Sequence, residues 1–222
     1  MPKITTSVTQ SDGTPKEFQQ NEYKLSGVTL ARTEYINQST LEIRMPSGCY
    51  QDPKIERLTD RNFMAWLPVD FGDGTIDVDV ASELASDAPD YSRGFIGLAY
   101  RIDDKGYFEN IYLRPINSVS DDQVRRNHTI QYAAYPDFPF DQLRSQFPEK
   151  YETYADISTE QWIHMRLKVN GPRVELYLNG CKRPAFLVDD MKLGATQRGG
   201  VGIWIESGTV AHFKNFQILI NN

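Results

Sequence analysis

The stretch GYFENIYLRP (106–115) sets Glu109 and Arg114 among Tyr107, Phe108, Ile111, Tyr112 and Leu113. Arginine donates paired hydrogen bonds, and a tyrosine ring can cover a weakly apolar face. That chemistry suits a sugar, which presents hydroxyl pairs on one side and C–H groups on another. Residues of the same types recur nearby: Arg101 in GFIGLAYRI, His128, Gln131 and Tyr135 in HTIQYAAY, and Trp204 with Glu206 in VGIWIES. Arg101, Tyr112, Arg114, Gln131, Tyr135, Trp204 and His128 are therefore candidate ligand contacts. Glu109 and Glu206 are candidate acid/base carboxylates, with pKa values that burial against aromatics would raise. The competing reading is structural: Arg101 or Arg114 paired with Glu109, giving strand register and nothing else.

Other reactive types are scattered. His128, His164 and His212 lack zinc spacing, and no G-x-S-x-G elbow occurs. In IDVDVASE, Asp77, Asp79 and Glu83 share strand parity, as the solvated face of a strand that buries Ile76, Val78 and Val80. The pairs Asp70 and Asp73, Asp103 and Asp104, and Asp189 and Asp190 could offer oxygen to calcium, but none has EF-hand spacing and turns favour Asp for its own backbone bonds. The metal site is left unassigned.

The elements that must position these residues are short β runs bounded by turn residues, about a dozen after residue 20. That is too many for one flat sheet, so an all-β sandwich of two packed antiparallel sheets is expected. In WIHMRLKV, Ile163, Met165, Leu167 and Val169 form one apolar face; VELYLNG repeats the pattern, and Asn170-Gly171-Pro172 joins the two as a hairpin. GFIGLAYRI divides into Ile96, Leu98, Tyr100 and Ile102 on the core side, against Phe95, Gly97, Ala99 and Arg101. Small residues in that second row leave a shallow floor. In the opening stretch, Ile111 and Leu113 hold the core, Tyr112 and Arg114 face the other way, and Glu109 falls on the core side. One short helix is expected near 140–147, where Phe140, Leu143 and Phe147 recur at helical spacing between Pro139 and Pro148. Residues 1–20 read as a polar arm or loosely attached edge, and 21–222 as a single sandwich domain. Loops 115–127 and 135–150 are long enough to form a lid or wall.

Composition narrows the partners. The 222 residues carry a net charge of -6, a field that does not attract phosphate backbones, so nucleic acid is not expected. No apolar run approaches the roughly 18 residues of a membrane span. The sequence after Met1 lacks a signal peptide's basic and apolar regions, which points to the cytoplasm, or to a secreted or periplasmic protein if a leader was removed. Cys49 and Cys181 are expected to be free buried thiols, although spacing alone does not decide whether they pair.

Several motifs, in this order, carry a resemblance: GFIGLAYRI, FENIYLRP, the Gln-Tyr of TIQYAAY, the strand opening at Trp162, Gly-Val-Gly-x-Trp at 200–204 and F-x-N-F at 213–216. Over roughly residues 70–220 the chain resembles the concanavalin A-like (laminin-G/glucanase) jelly rolls. Within them it is similar to the bacterial 3-keto-disaccharide hydrolase-type domain. The resemblance implies one concave sheet that binds carbohydrate on its face or rim, and loops that often hold calcium. It implies two alternatives: a glycoside hydrolase or lyase acting on a modified disaccharide or glucoside, and a laminin-G-type protein-interaction module with Trp162 and Tyr177 as surface anchors. Retaining glucanases of the superfamily carry Glu-x-Asp-x-x-Glu. Here Asp77 takes the first place and Glu83 falls six positions later, which removes that acid pair.

Overall fold

A computed structural model of the chain describes residues 4–221. Its strands in chain order are β1 (Thr6–Thr9), β2 (Pro15–Phe18), β3 (Lys24–Ser26), β4 (Thr29–Tyr35), β5 (Gln38–Arg44), β6 (Met64–Phe71), β7 (Gly74–Leu84), β8 (Ile96–Ile102), β9 (Phe108–Leu113), β10 (Ile130–Tyr135), β11 (Glu152–Thr153), β12 (Ile163–Asn170), β13 (Arg173–Leu178), β14 (Phe186–Val188), β15 (Gly199–Ile205) and β16 (Thr209–Ile220). They form two sheets in which antiparallel pairing dominates. The larger runs β14-β13-β12-β7-β16-β1-β2, with β5 also paired to β16 and β4 to β5; the smaller runs β11-β10-β9-β8-β15-β6-β3. The β-sandwich expected from the sequence is the fold observed.

Alternation explains how the layers meet. Ile163, Met165, Leu167 and Val169 of β12 and Ile76, Val78 and Val80 of β7 turn inward from the larger sheet. They meet Ile96 and Leu98 of β8, Ile111 and Leu113 of β9, and Val201, Ile203 and Ile205 of β15. Each fully buried aliphatic side chain contributes about 1.5–3 kcal/mol, so a one-residue slip in any of these strands would be heavily penalised. The β12–β13 hairpin turns through Gly171-Pro172, with Asn170 opposite Arg173 and Gly171 at φ +55°. Only glycine adopts that left-handed conformation without strain.

Residues 6–18, part of the segment read as a polar arm, form a β1–β2 hairpin instead. It turns at Asp12-Gly13 and adds to the larger sheet by parallel pairing of β1 with β16, with Val8 buried in the core. Residues 1–3 of that arm, and Asn222, lie outside the described residues. The expected helix is present as Phe140–Gln146, and two shorter ones precede it. α1 is Pro115–Ser118, α2 is Gln123–Asn127 and α3 is Phe140–Gln146. The side chain of Asp122 caps α2 by accepting the N–H groups of Val124 and Arg125. Cys49 is half-buried and Cys181 exposed, and both are free, so the expectation of buried thiols is corrected.

Strand β8 breaks its alternation. Tyr100 pairs with Val201 and Ile102 with the adjacent Gly200, which leaves Arg101 as the extra residue of a bulge at φ +55°. The bulge turns Ile102 to the outer face and carries Arg101 away from it.

Candidate functional site

The outer face of the smaller sheet is built in cross-strand rows. Gln131, Tyr112, Gly97, Trp204 and Met64 lie side by side across β10, β9, β8, β15 and β6. Gly97 is what lets the row form, because a Cβ there would stand 2.3 Å from the Cβ of Tyr112 and 2.6 Å from the Ile111 carbonyl. The rings of Tyr112 and Trp204 therefore meet over it, with centroids 4.6 Å apart, and Phe95 stands 6.4 Å from Tyr112. At this end of the face, two residues further along β9 and β15, come Arg114 and Glu206.

A cavity of about 240 Å³ opens there, walled by the 51–60 loop, by α1 and α2, and by the start of α3. Its floor is a bonded chain. Arg114 Nη2 donates to the Tyr112 hydroxyl at 2.8 Å, which donates to Asp60 Oδ1 at 2.7 Å, while Asp60 Oδ2 accepts the Phe140 N–H at 2.7 Å. Arg114 Nη1 reaches Gln131 Oε1 and the His128 carbonyl, each at 3.2 Å. The amide of Gln131 is in turn anchored on the carbonyls of Tyr132 and Tyr151. The Arg114 guanidinium lies 5.0 Å from the ring centroids of both Tyr112 and Phe140, a cation–π arrangement that keeps the charge planar against aromatic faces.

Burial pushes the Asp60 carboxyl up to about 6, against the opposing pull of the Tyr112 hydrogen bond and the Arg114 charge. Outside the lining, Glu152 is buried behind His128 and Arg144, whose hydrogen bonds hold it down at about 2. Arg144 grips that carboxylate through Nε and Nη2 at 2.6–3.0 Å. Glu206 is bound by Arg61 Nη2 at 2.6 Å and by the Ser207 N–H and hydroxyl at 2.8 Å.

The structure brings together Tyr112, Arg114, His128, Trp204 and Glu206 as lining residues, with Gln131 directly behind Arg114. Trp204 is 0 % exposed and bonded through Nε1 to the Arg61 carbonyl, so it is floor and not a free platform; the half-buried aromatic residues of the lining are Tyr91, Phe95 and Phe140. Three candidates lie elsewhere. Tyr135 stacks on Phe108 further along the same face, at 5.3 Å and 9°. Arg101 is carried by its bulge into the loops at one end of the sandwich, where it binds Asp73 and three carbonyls. Glu109 is on the core side, accepting the Tyr132 hydroxyl at 2.5 Å and the Leu193 N–H at 2.8 Å. Neither of these two charges lines the cavity, and the expected Arg101 or Arg114 pairing with Glu109 is not formed.

Asp60, Arg93, Asn117, Arg125, Phe140 and Arg144 also line the cavity, the last four from the segments 115–127 and 135–150; none of the six is among the candidate contacts read from the strands. Asp60 sits in QDPKIERLTD, which has no strand or helix period to reveal which surface it covers. A usable signal existed for Arg125: Asp122 as an N-cap predicts a turn of helix that aims the following residues.

Other candidate groups are engaged away from the cavity. Asp77 and Asp79 bind Arg166, His164, Lys214 and Asn215 on the outer face of the larger sheet. Tyr177 bonds to Glu175, and Lys214 lies 4.4 Å over Trp162 on that same sheet. Among the proposed calcium ligands, Asp73 holds Arg101, Asp70 holds Arg198, Asp190 holds Lys150 and Lys192, and Asp103 caps its own turn. Among the described residues no three His, Cys, Asp or Glu side chains gather as a metal site. Among the described residues no helix is long and apolar enough to cross a membrane.

Comparison with known proteins places the fold. No protein-family model matches the chain, and no curated protein does. Among solved structures, the chain is similar to a Bacillus subtilis protein of unknown function with a galectin-like fold: TM-score 0.55, 14% identity, 97% of this chain and 96% of that one. It is also similar to the carbohydrate-binding module CBM66 from Bacillus subtilis: TM-score 0.51, 12% identity, 88% of this chain and 96% of that one. At such identities the likeness is one of fold.

Proposed function

We propose that the chain is a carbohydrate-binding β-sandwich whose sugar site is the cavity at the Arg114 end of the smaller sheet. The observation that carries this reading is the cavity's composition. Half-buried Phe95 and Phe140 offer faces for C–H groups, while Arg93, Arg114, Arg125 and His128 offer donors for hydroxyls. The kinship of fold with a carbohydrate-binding module supports it. Isothermal titration against a panel of neutral and charged oligosaccharides is expected to show saturable binding, which Arg114→Ala reduces about 100-fold or abolishes. Circular dichroism of the variant checks that the sandwich persists. Absence of binding to every sugar in the panel would remove the proposal.

A second reading, hydrolysis or elimination on a modified disaccharide or glucoside of the 3-keto type, has one observation in its favour. Asp60, raised to about 6, holds its proton in mildly acidic solution and lines the same cavity, as a general acid working at that pH must. Glu206, by contrast, is committed to Arg61. Product release from 3-keto-glucosides that is lost in Asp60→Asn would favour the enzyme; no turnover in the unaltered protein would leave binding alone.

A further inference from the structure

We infer that the sugar taken by this cavity carries an acidic group, so that its preferred ligand is an anionic saccharide; this rests on reading the cavity as a sugar site. Four arginines, Arg93, Arg114, Arg125 and Arg144, line it against two carboxylates, Asp60 and Glu206, an excess of two positive charges in a chain of net charge -6. Ion pairing removes part of that set: Arg144 is matched by Glu152, and Glu206 by Arg61 from just outside.

Arg93, Arg114 and Arg125 remain against Asp60 alone, and among the described residues none of the three forms a salt bridge; Asp60 meets Arg114 only through the Tyr112 hydroxyl. Arg93 donates only to the carbonyls of Asp90 and Ser92, at 2.8 and 2.7 Å. Arg114, although buried, donates only to neutral groups. Arg125 projects from α2, exposed at the rim. The three charges face one space and repel: burial first, and then the charges of Arg125 and Arg114, pull the Arg93 guanidinium below its ordinary pKa. Three clustered guanidinium groups that outnumber the one carboxylate left beside them are what an incoming oxyanion would neutralise, through charge-assisted and often bidentate hydrogen bonds.

A second, independent feature fits a ligand that also bears hydroxyls. Asn117 is 4 % exposed and lines the cavity; its Nδ2 is spent on the His128 carbonyl at 3.0 Å, but its Oδ1 has no partner. A buried amide oxygen left unpaired costs about 1–3 kcal/mol, and a sugar hydroxyl would recover it. The cavity thus presents a cationic cluster to its guest, with the unpaired amide oxygen of a lining residue buried beside it. A carboxylate and a sulfate ester share the required chemistry.

The test is calorimetric titration of the full chain with neutral oligosaccharides, the same sugars as uronates, the methyl esters of those uronates, sulfated counterparts, and sodium sulfate alone. The expected result is that a uronate or a sulfated sugar binds about 10- to 100-fold tighter than its matched neutral form, with the preference shrinking as salt rises. Which arm shows the preference identifies the oxyanion. Arg125→Gln, at an exposed position, should cut the preference severalfold without moving the thermal midpoint; Arg93→Gln should cut it severalfold while lowering the midpoint slightly, because its two backbone bonds are lost. Equal affinity for charged and neutral forms would overturn the anionic inference and leave the sugar site standing. Binding of no sugar, or of sodium sulfate alone as tightly as any sugar, would overturn both.

Discussion

Two buried arginines on neighbouring strands of one sheet meet different fates. Arg101 uses its donors on the carbonyls of Gly72, Gly194 and Gly171 and on the Asp73 carboxylate, at 2.8–3.0 Å. It sews three loops together, and nothing is left to offer a ligand. Arg114 binds a hydroxyl, an amide oxygen and a carbonyl, has no carboxylate, and borders open space. Burial and charge are therefore poor guides to a binding arginine when taken alone. What separates the two is whether the charge has already been matched.

The contrast can be broken most sharply through stability. Arg101→Ala is expected to cost roughly 3–5 kcal/mol in urea unfolding, since it strands three carbonyls and a carboxylate. Arg114→Ala should cost only about 1–2 kcal/mol, because water in the cavity can replace it, while ligand affinity suffers. Equal destabilisation by the two would sink the distinction.

Asp60 provides a smaller effect with a definite sign. Its folded pKa of about 6 lies above the ordinary aspartate value, so between pH 4 and 6 the native protein holds a proton that the unfolded chain has released. This group's contribution is fully present below about pH 4 and is lost as pH rises through 6, by about 3 kcal/mol for a shift of that size. Asp60→Asn cannot titrate and should flatten that descent in urea titrations run from pH 4 to 8. Profiles that stay parallel would show that Asp60 does not carry it.

The least effect is expected at Glu109. Glu109→Gln keeps an acceptor for Leu193 and a partner for Tyr132, so unfolding should shift by about 1 kcal/mol or less. Saccharide binding should not change. Loss of binding would mean that the core side of β9 communicates with the cavity.

Strand parity was legible where alternation ran unbroken. Ile111 and Leu113 face inward and Tyr112 and Arg114 outward, and the same rule assigned Gln131 and Trp204 to the outer face. It placed Glu109 on the core side for the same reason. The rule failed at Arg101, because a bulge depends on the neighbouring strand, where Gly199 and Gly200 leave room for the irregular pairing. The site was only half readable. Its floor comes from periodic strands, whereas Asp60 and Arg93 arrive on irregular segments, and Asn117 on the single turn of α1, whose paths over the sheet are set by tertiary packing. The short hairpin at 6–18 was obscured by its polar composition, since PKEF buries only Phe18.

The parallel pairing of β1 with β16 also constrains how the molecule can assemble. Ser7 lies opposite Gln217, 210 positions later, and β16 is also the strand that joins β7 to β5. Closing so long a loop is slow, because its entropy must be lost before any contact compensates. The larger sheet therefore has no centre until its last strand arrives. Until then β1, β5 and β7 wait with unpaired edges, and the rate of productive folding against edge-to-edge association is set by how quickly one twelve-residue strand is captured.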